Sequence, residues 1–375
     1  MDPQPQAAPP ASEHVIAAMS GGVDSSVTAK LLQDAGYQVL GVTLKLFGDD
    51  VAASGGDTQA CCSLDDVEDA RAVARQLGMP HYVFNFADDF GTFVIDRFCE
   101  SYLQGRTPNP CIDCNRYIKF AALHRRRAEL DCDYLATGHY ARRCWDEQRG
   151  RFLLKTGLDA DKDQSYVLYN LTQEQLAHTL FPLGELTKAQ VRDVAAAAGF
   201  ANAQKAESQD ICFVPDGNYQ RFIEARTGRT LQPGPIVDLQ GNVLGTHAGL
   251  DRYTVGQRKG IGIAAAQPLY VCRKDLETNQ LVVGTAEEAT CTRVLVEDVN
   301  WISVAQLNAP LRVTAKTFYR QKAAPALLTQ TGPTNATLLF DQPIRACAPG
   351  QAAVFYQEDV VVGGGVISSC DSPRL

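Results

Sequence analysis

Short apolar runs alternate with longer amphipathic runs over the first part of the chain. The apolar runs predict β-strands at residues 14–19, 37–46, 81–86 and 134–137. The amphipathic runs predict helices at residues 63–78, 88–103 and 115–130. The first of these helices opens on Ser63 with Asp66 at capping-box spacing and ends at Gly78. Strands that alternate with helices predict a parallel sheet covered on both faces, which binds ligands at the carboxyl ends of its strands.

The pattern changes in the second part of the chain. Residues 187–199 predict a helix with Thr187 as its N-cap and Gly199 as its stop, and residues 218–227 predict another. From Pro233 onward, Gly and Pro turns separate short runs that predict strands at residues 281–284, 293–299, 311–319, 336–340 and 352–356. Five short strands with turn signals indicate a small β-barrel.

These patterns together predict an α/β protein with three domains. We expect a parallel-sheet domain at residues 12–216, a small central linker or β-rich domain at 217–286 and a C-terminal β-barrel at 287–375. A chain of 375 residues favours two or three domains over one.

A glycine-bearing turn stands between the first predicted strand and an amphipathic run that predicts a helix ending at Gly36. It reads Met-Ser-Gly-Gly-Val-Asp-Ser-Ser over residues 19–26. Such a turn directs backbone N–H groups and a helix N-terminus at a phosphate, and its serines add hydroxyl donors. The lysine-bearing P-loop pattern is absent, and the run instead resembles the SGGxDS signature of the PP-loop ATP pyrophosphatases. The resemblance implies a Rossmann-like domain of the HUP class that splits ATP into AMP and pyrophosphate.

Composition narrows the class of protein. The hydrophobic fraction of 45% and the charged fraction of 21% are ordinary for a soluble globular chain, and no apolar run approaches the ~20 residues that span a bilayer. The first eleven residues predict a disordered tail without the features of a signal peptide. We therefore expect a cytoplasmic protein without membrane contact. The net charge of −8 does not indicate a nucleic-acid binder, although a local basic face would suffice for phosphate contact.

The twelve cysteines favour metal binding or catalysis over structural disulfides in such a compartment. Cys111 and Cys114 form a C-x-x-C motif that we expect on a proline-stiffened loop, with Asn115 as the cap of the next helix. The motif suits a redox pair or thiolate nucleophile, half of a zinc site, or iron–sulfur ligands. Cys212 lies at a predicted loop–strand junction. Three other cysteines are expected to be buried as small hydrophobic side chains: Cys99, Cys272 and Cys291.

Seven short motifs occur in one order along the chain. They are SGGVDSS from Ser20, GRTPNPCIDCN from Gly105, ATGHYAR from Ala136, KDQSYVLY from Lys162, SQDICF from Ser208, GQRKG from Gly256 and GGGVI from Gly363. The ordered set closely resembles the tRNA-specific 2-thiouridylase family from about residue 15 to residue 367. The resemblance implies that ATP adenylates the C2 oxygen of a tRNA wobble uridine and that a cysteine persulfide then delivers sulfur, releasing AMP and pyrophosphate.

The resemblance also implies roles for individual residues. The implied ATP site, with Mg²⁺ on the phosphates, comprises Ala18, Met19, Ser20, Gly21, Gly22, Val23, Asp24, Ser25, Leu44 and Gly138. Cys114 corresponds to the catalytic nucleophile and Cys212 to the persulfide carrier, and the two would form a transient disulfide. The implied contacts with the flipped target base are Asn109, Pro110 and Cys111. The implied tRNA contacts are His139, Lys162, Asp163, Gln164, Tyr319, Arg320 and Gln351.

Cys111 leaves a second chemical route open. Well-known family members carry Asp at this position as a candidate acid or base, and a thiol with a pKa near 8.5 is a weaker match to that role. Cys111, Cys114 and Cys212 would alternatively hold a [4Fe–4S] cluster with one iron open to sulfide. Two other function classes remain as alternatives, namely another PP-loop adenylating ligase or amidotransferase, and a non-catalytic nucleotide- or RNA-binding module.

The expected partners follow from the same resemblance. They are the tRNAs for Lys, Glu and Gln, and a cysteine desulfurase or sulfur-relay protein as the sulfur donor. Basic residues that would contact tRNA phosphates occur at residues 124–127, 142–143, 149, 151 and 258–259.

Overall fold

The computed structural model describes residues 13–47, 64–205, 211–214, 216–229, 231–345 and 347–371. The chain divides into two compact units. The first, here called the sheet unit, comprises residues up to 93 together with 113–215, and the second, the barrel unit, comprises 94–112 together with 216–375. The expected N-terminal tail and the expected helix start at Ser63 lie outside the described residues.

The sheet unit is built on a five-stranded parallel sheet with the order β3-β2-β1-β4-β7. Its strands are β1 His14–Ala18, β2 Gln38–Lys45, β3 His81–Asn85, β4 Tyr134–Ala136 and β7 Thr179–Leu180. The four strands predicted for this region are confirmed, and the two-residue β7 is an addition. The strand β1 lies at the centre of the sheet, where Val15, Ile16 and Ala17 have no exposed surface. A continuous apolar run suits a strand that is buried on both faces.

The helix predicted at residues 88–103 is divided by a π-helical turn at Gly91–Asp96, and the short helix Gln173–Ala177 was not predicted. The helices of the sheet unit follow its strands. They are Val23–Asp34, Leu64–Gln76, Ala87–Phe90, Leu123–Glu129, Gln173–Ala177 and Lys188–Ala197, with a 3₁₀ turn at Ser165–Leu168. Thr187 caps the last of these helices with a complete capping box, and Gly199 follows it with a φ of +70°, as its sequence predicted. A hairpin of β5 Ala141–Asp146 and β6 Arg151–Thr156 was not predicted, because its arginines mask the strand alternation.

The C-x-x-C motif differs from its predicted setting. A short helix spans Pro110–Asp113 and continues into a π-helical segment at Cys114–Ala122, so both cysteines are helical and not on a preceding loop. Proline is favoured at the first position of a helix, and the Asn109 side chain accepts a hydrogen bond from the Cys111 N–H at 3.1 Å. Asn115 does not cap a helix; it is buried, and its amide donates to the Val167 carbonyl at 3.2 Å.

The barrel unit contains a small mixed sheet and a closed barrel. The mixed sheet has the order β10-β11-β8-β9, formed by β8 Gly234–Val237, β9 Val243–His247, β10 Tyr270–Asp275 and β11 Gln280–Gly284. The barrel strands are β12 Thr290–Trp301, β13 Leu311–Lys316, β14 Ala324–Gly332, β15 Asn335–Arg345, β16 Ala352–Gln357 and β17 Val360–Asp371. They follow the order β12-β15-β14-β13-β16-β17, and β17 pairs again with β12. The predicted barrel is confirmed, with β14 and β17 as further strands.

The barrel unit also carries the helical segments that come from residues 94–112 and 216–252. They are the end of a π-helical turn at Gly91–Asp96, the helix Arg97–Leu103, the helix Tyr219–Thr227 and a 3₁₀ turn at Leu250–Arg252. Asn218 caps the helix Tyr219–Thr227 through a hydrogen bond from the Arg221 N–H. In the described part of the chain, no helix is both long enough and apolar enough to cross a membrane.

Candidate functional site

The glycine turn lies at the carboxyl end of the central strand β1, as predicted. The Ser25 hydroxyl accepts from the Ser20 N–H at 3.1 Å and donates to the Gly22 carbonyl at 2.9 Å. Gly21 has a φ of +75°, and a Cβ there would lie 2.2 Å from the Asp66 carbonyl oxygen, so only glycine fits. The N-cap of the helix Val23–Asp34 is Gly22, which has no side chain to accept hydrogen bonds from the first N–H groups of the helix. A helix N-terminus of this kind attracts an anion.

Two side chains that are remote in sequence make hydrogen bonds to the turn. The Asn202 amide is buried and donates to the Gly21 carbonyl and to the Ser26 hydroxyl, both at 2.9 Å. The Thr43 hydroxyl on β2 donates to the Met19 carbonyl at 2.8 Å. Neither side chain was predicted from sequence, because no local pattern links residue 202 to residue 21. The turn is therefore held by side chains from two other segments of the sheet unit.

Asp24 is the centre of a polar contact that the sequence did not reveal. Lys188 donates to both of its carboxylate oxygens at 2.8 Å, and the Tyr140 hydroxyl donates to one of them at 2.8 Å. Lys188 is buried and directly follows the cap residue Thr187. This group places a positive charge close to the first turn of the helix Val23–Asp34.

Gly138 lies next to the glycine turn at the carboxyl end of the sheet. It follows β4, and a Cβ at this position would lie 3.0 Å from the Asp24 carbonyl carbon and 3.1 Å from the Ser25 nitrogen. The chain runs from β1 outward to β2 and β3 and then returns to β4 on the other side of β1. This reversal is a topological switch point, where open α/β sheets bind ligands. The turn after β1 and the Gly138 segment therefore converge at the carboxyl ends of β1 and β4. Leu44 is buried in β2, beside Phe84 of β3.

His139 lies inside the fold. Its Nδ1 is 2.7 Å from the Thr137 hydroxyl, and its ring packs against Phe120 and Phe181. Burial, with a smaller contribution from the Lys119 charge, lowers the pKa of His139 well below its usual value. The imidazole is therefore neutral at neutral pH and supports the shape of the site next to Gly138.

The two cysteines with the most specific predicted roles are both in the sheet unit. Cys114 is buried at the start of the π-helical segment, and Cys212 is half-buried in a turn that Ile211 and Val214 close by a backbone hydrogen bond. Both are thiols. Phe213 packs edge-on against Phe90 at 5.9 Å. The π-helical segment contacts the same helix, Ala87–Phe90. Both cysteine segments therefore contact one short helix.

The segment implied to contact the target base, residues 109–111, belongs to the barrel unit. Cys111 is exposed, and the loop before it is held by the residues that follow β15. The Thr107 N–H donates to the Pro349 carbonyl at 2.7 Å, and the Gln351 amide donates to the Thr107 carbonyl at 3.0 Å and to the Pro108 carbonyl at 3.3 Å. The structure thus gives Gln351 a loop-positioning contact.

The other residues implied to contact tRNA have varied surroundings. Asp163 accepts from the Gly157 and Ser165 N–H groups at 3.1 and 3.0 Å, and Gln164 accepts from the Tyr140 N–H at 3.0 Å. Lys162 is half-buried, and both Tyr319 and Arg320 are exposed.

Two arginines of the basic run at residues 124–127 have polar partners within the sheet unit. Arg126 pairs with Glu129 at 2.6 Å, and Arg127 donates to the Cys132 and Asp133 carbonyls.

Three family models match the chain in order along its length. They are described as tRNA methyl transferase HUP domain over residues 13–216, tRNA methyl transferase PRC-barrel domain over residues 220–285 and Aminomethyltransferase beta-barrel domain over residues 291–367. A crystal structure of a 4-thiouridine synthetase–RNA complex with bound ATP matches with a TM-score of 0.36 at 16% identity, covering 58% of this chain and 50% of that one.

Curated relatives match at much higher similarity. The tRNA-specific 2-thiouridylase MnmA of Moorella thermoacetica is 53% identical over 352 residues, which cover 94% of this chain and 98% of the relative. The protein of the same name from Heliobacterium modesticaldum is 53% identical over 357 residues, covering 95% and 92%. Since this identity extends over nearly the whole length of the chain, the chain belongs to the tRNA-specific 2-thiouridylase family.

Proposed function

We propose that this chain is a tRNA sulfurtransferase that uses ATP to replace the C2 oxygen of the wobble uridine with sulfur. The observation that carries the proposal is the glycine turn at the switch point of the parallel sheet, with Gly138 in contact range of Asp24 and Ser25. That arrangement suits a nucleotide whose phosphates meet the helix N-terminus. The family relationship supplies the tRNA substrate.

The first step is adenylation of the uridine. The C2 oxygen attacks the α-phosphorus of ATP, an O–P bond forms, the bond to the β-phosphate bridge breaks, and pyrophosphate leaves. A carbonyl oxygen is a poor leaving group, and the adenylate makes it a good one. The backbone N–H groups of residues 19–23 would stabilise the charge that develops on pyrophosphate. Mg²⁺ would accompany the phosphates, and Leu44 and Gly138 would border the nucleoside.

The second step is sulfur transfer through Cys212 and Cys114. The terminal sulfur of a Cys212 persulfide attacks C2, and AMP leaves. Cys114 then attacks the Cys212 sulfur, so that a Cys114–Cys212 disulfide forms and 2-thiouridine is released. A cellular dithiol supplies the two electrons that reduce this disulfide. The shared contact of both cysteine segments with the helix Ala87–Phe90 supports such a pairing.

The alternative route uses Cys111, Cys114 and Cys212 as thiolate ligands of a [4Fe–4S] cluster, which would bind sulfide directly. Thiolates are the ligands that such clusters take, so the donor chemistry suits it. Among the described residues, the three thiols that lie close together are a different set, Cys291, Cys347 and Cys370. The structure therefore does not favour the cluster route by itself. Iron content decides between the two routes.

The remaining parts of the chain serve tRNA. We propose residues 12–216 as the catalytic domain, 217–286 as a linker domain and 287–375 as a tRNA-docking barrel. In this assignment, Asn109, Pro110 and Cys111 contact the flipped base. The assigned tRNA-contacting residues are His139, Lys162, Asp163, Gln164, Tyr319, Arg320 and Gln351. The proposed substrates are the tRNAs for Lys, Glu and Gln in the cytoplasm, with sulfur from a desulfurase or a relay protein.

The test combines two readouts on metal-free protein purified without oxygen. ATP–pyrophosphate exchange stimulated by unmodified tRNA reports adenylation, and nucleoside mass spectrometry reports 2-thiouridine made with ATP, cysteine and a cysteine desulfurase, which supplies the sulfane sulfur of the Cys212 persulfide. We expect both in the wild-type chain. Cys212→Ser is expected to abolish 2-thiouridine and to keep the exchange reaction, while Cys144→Ser, which changes an exposed cysteine on β5, should keep both.

Three outcomes would revise the proposal. Thiolation retained by Cys212→Ser would remove its persulfide role. Thiolation that appears only after iron–sulfur reconstitution would favour the cluster route. If 2-thiouridine appears under neither condition, the thiolation function itself is wrong for this chain.

A further inference from the structure

Three thiols that the family resemblance does not involve come together in the barrel unit. The sulfur atoms of Cys291, Cys347 and Cys370 all lie within 4.8 Å of one another, and this is the one such set of His, Cys, Asp or Glu groups in the described part of the chain. Cys291 and Cys347 are buried, and Cys370 is half-buried. The Cys370 thiol also donates to the Cys347 carbonyl at 3.1 Å.

The three cysteines come from the strands that close the barrel. Cys291 lies on β12 opposite Ile344 of β15, Cys370 lies on β17 opposite Val294 of β12, and Cys347 follows the end of β15. The pairing of β12 with β15 shifts register immediately after Cys291. A β-bulge of this kind redirects a side chain. The convergence of the thiols is thus a product of barrel closure.

A cavity of about 210 Å³ opens beside the thiols, and further ligand groups line it. Cys272 and Glu288 are among them: a Cβ at Gly284 would lie 3.0 Å from the Cys272 sulfur and 3.1 Å from a Glu288 carboxylate oxygen. The cavity therefore contains sulfur and oxygen donors besides the three thiols. Arg273 and Lys274 also line the cavity.

We propose that Cys291, Cys347 and Cys370 bind one soft divalent metal ion, Zn²⁺, with the fourth coordination position directed into this cavity. A tetrahedral zinc site with Zn–S bonds of about 2.3 Å places its sulfurs about 3.8 Å apart, which the observed set reaches with small adjustments of the side chains. Each thiol releases its proton to solvent as the metal binds, and three thiolates on Zn²⁺ leave one negative charge. Cys272, Glu288 or a water molecule supplies the fourth ligand.

The proposed site would brace a loop as well as the barrel. Cys347 stands two residues before Pro349 and four before Gln351, whose backbone and side chain hold Thr107 and Pro108. A metal on Cys347 would therefore fix the loop against which the 107–111 segment rests. This role is structural and does not depend on the thiolation reaction.

The experiment measures metal binding in a chain that lacks the C-x-x-C pair and Cys212. The parent is the full-length chain with Cys111, Cys114 and Cys212 all changed to Ser, reduced, treated with chelator and then titrated with Zn²⁺. We expect about one zinc per chain by elemental analysis after dialysis. With Co²⁺ as the probe, we expect thiolate-to-cobalt charge-transfer absorption. Adding Cys370→Ser should weaken binding by more than about 100-fold, since loss of even an outer-shell partner costs 10- to 100-fold.

Two controls keep the result interpretable. Adding Cys144→Ser to the parent removes an exposed cysteine of the sheet unit and should leave zinc binding unchanged. If Cys370→Ser fails to fold, alkylation of the parent decides, because zinc should protect Cys291, Cys347 and Cys370 from the reagent. Absence of zinc binding in the reduced parent, unchanged binding in folded Cys370→Ser, or a native disulfide within the set would each overturn the proposal.

Discussion

The glycine turn of the sheet unit and the three-thiol cluster at the barrel seam, where β12, β15 and β17 meet, are assembled in opposite ways. At the glycine turn, residues 18–25 follow one another along a single segment, and Gly138 approaches them from the end of a neighbouring strand. At the barrel seam, the three thiols come from positions 291, 347 and 370, and no two of them belong to one motif. The first site is built by a local segment, and the second exists only once β12, β15 and β17 have paired.

This difference has a physical consequence for how each site fails. The glycine turn depends on backbone shape, so a single added methyl group disrupts it. The barrel seam depends on side-chain ligands, so it should tolerate backbone strain elsewhere and respond to reduction, alkylation or chelation. Changes in the two regions should therefore have separable effects on adenylation and on barrel stability.

The largest expected effect comes from Gly21→Ala. The new Cβ would lie 2.2 Å from the Asp66 carbonyl oxygen at a φ of +75°, so the turn must move. Displaced donors lose their alignment with the phosphates, and we expect the ATP–pyrophosphate exchange rate to fall about 100- to 1,000-fold. The matched control is Gly36→Ala, with a φ of +94° and no atom within 4 Å of the new Cβ. It should cost about 1–2 kcal/mol of stability and keep the exchange rate. Equal losses of exchange in both variants would contradict the local role of Gly21.

Acid should destabilise the sheet unit through the partly buried His124. Burial, aided by the charges of Arg127 and His178, lowers the pKa of His124 to about 4, against about 6.5 in the unfolded chain. Between about pH 6.5 and pH 4, His124 therefore binds a proton in the unfolded state and remains neutral in the folded state. The stability is complete above pH 6.5 and falls by about 1.4 kcal/mol per pH unit toward pH 4, up to about 3 kcal/mol.

The variant His124→Gln isolates this effect. Its urea midpoint should fall less between pH 7 and pH 4.5 than that of the wild-type chain. The control His14→Gln changes an exposed histidine and should follow the wild-type pH profile. If the profile of His124→Gln is identical to that of the wild type, burial of this imidazole does not limit acid stability.

Metal removal should destabilise the barrel unit. At a free zinc concentration 100 times the dissociation constant, binding adds about 2.7 kcal/mol to the folded state. For a unit of this size, chelation should lower the midpoint of barrel unfolding by about 5–10 °C. Scanning calorimetry of the chain with and without chelator measures the shift, and Cys370→Ser should be insensitive to chelator. A shift of the same size in Cys370→Ser would place the metal elsewhere.

The contrast also explains what the sequence predicted. Strand and helix periodicity, capping residues and glycine stops located the sheet and the glycine turn, because these features are encoded within short segments. The helix that starts at Pro110 was missed because the prolines around it were interpreted as loop formers. The hairpin β5–β6 was missed because its strands carry charged residues.

Tertiary contacts without a local signal were not predictable. Lys188 and Asn202 reach the turn after β1 from 164 and 181 residues away. Cys291 is buried, as its apolar context predicted, but burial alone does not reveal that two other thiols lie beside it. Only the barrel register brings those thiols together.

Lys188→Met tests one of these unpredicted contacts. The change removes the two 2.8 Å hydrogen bonds to Asp24 and leaves the Tyr140 hydroxyl to donate to it. Asp24 retains some exposure, so we expect a loss of about 2 kcal/mol in the urea-derived free energy of unfolding. The control Lys30→Met breaks an exposed pair with Asp34 on the same helix and should cost about 0.5 kcal/mol or less. Comparable losses in the two variants would mean that the Asp24 contact is no more than a surface pair.

The smallest expected effect, from Gln351→Ala, sharpens the comparison most. This side chain belongs to the barrel unit, yet it acts on backbone shape, because its amide donates to the Thr107 and Pro108 carbonyls. Losing these bonds should cost about 1 kcal/mol, which corresponds to roughly a fivefold rise in the KM for tRNA with an unchanged dissociation constant for ATP. The control Gln342→Ala changes an exposed side chain on β15 and should alter neither constant. If Gln351→Ala instead leaves KM unchanged while limited proteolysis detects no change in the 104–110 segment, the loop is held by the Thr107–Pro349 bond alone.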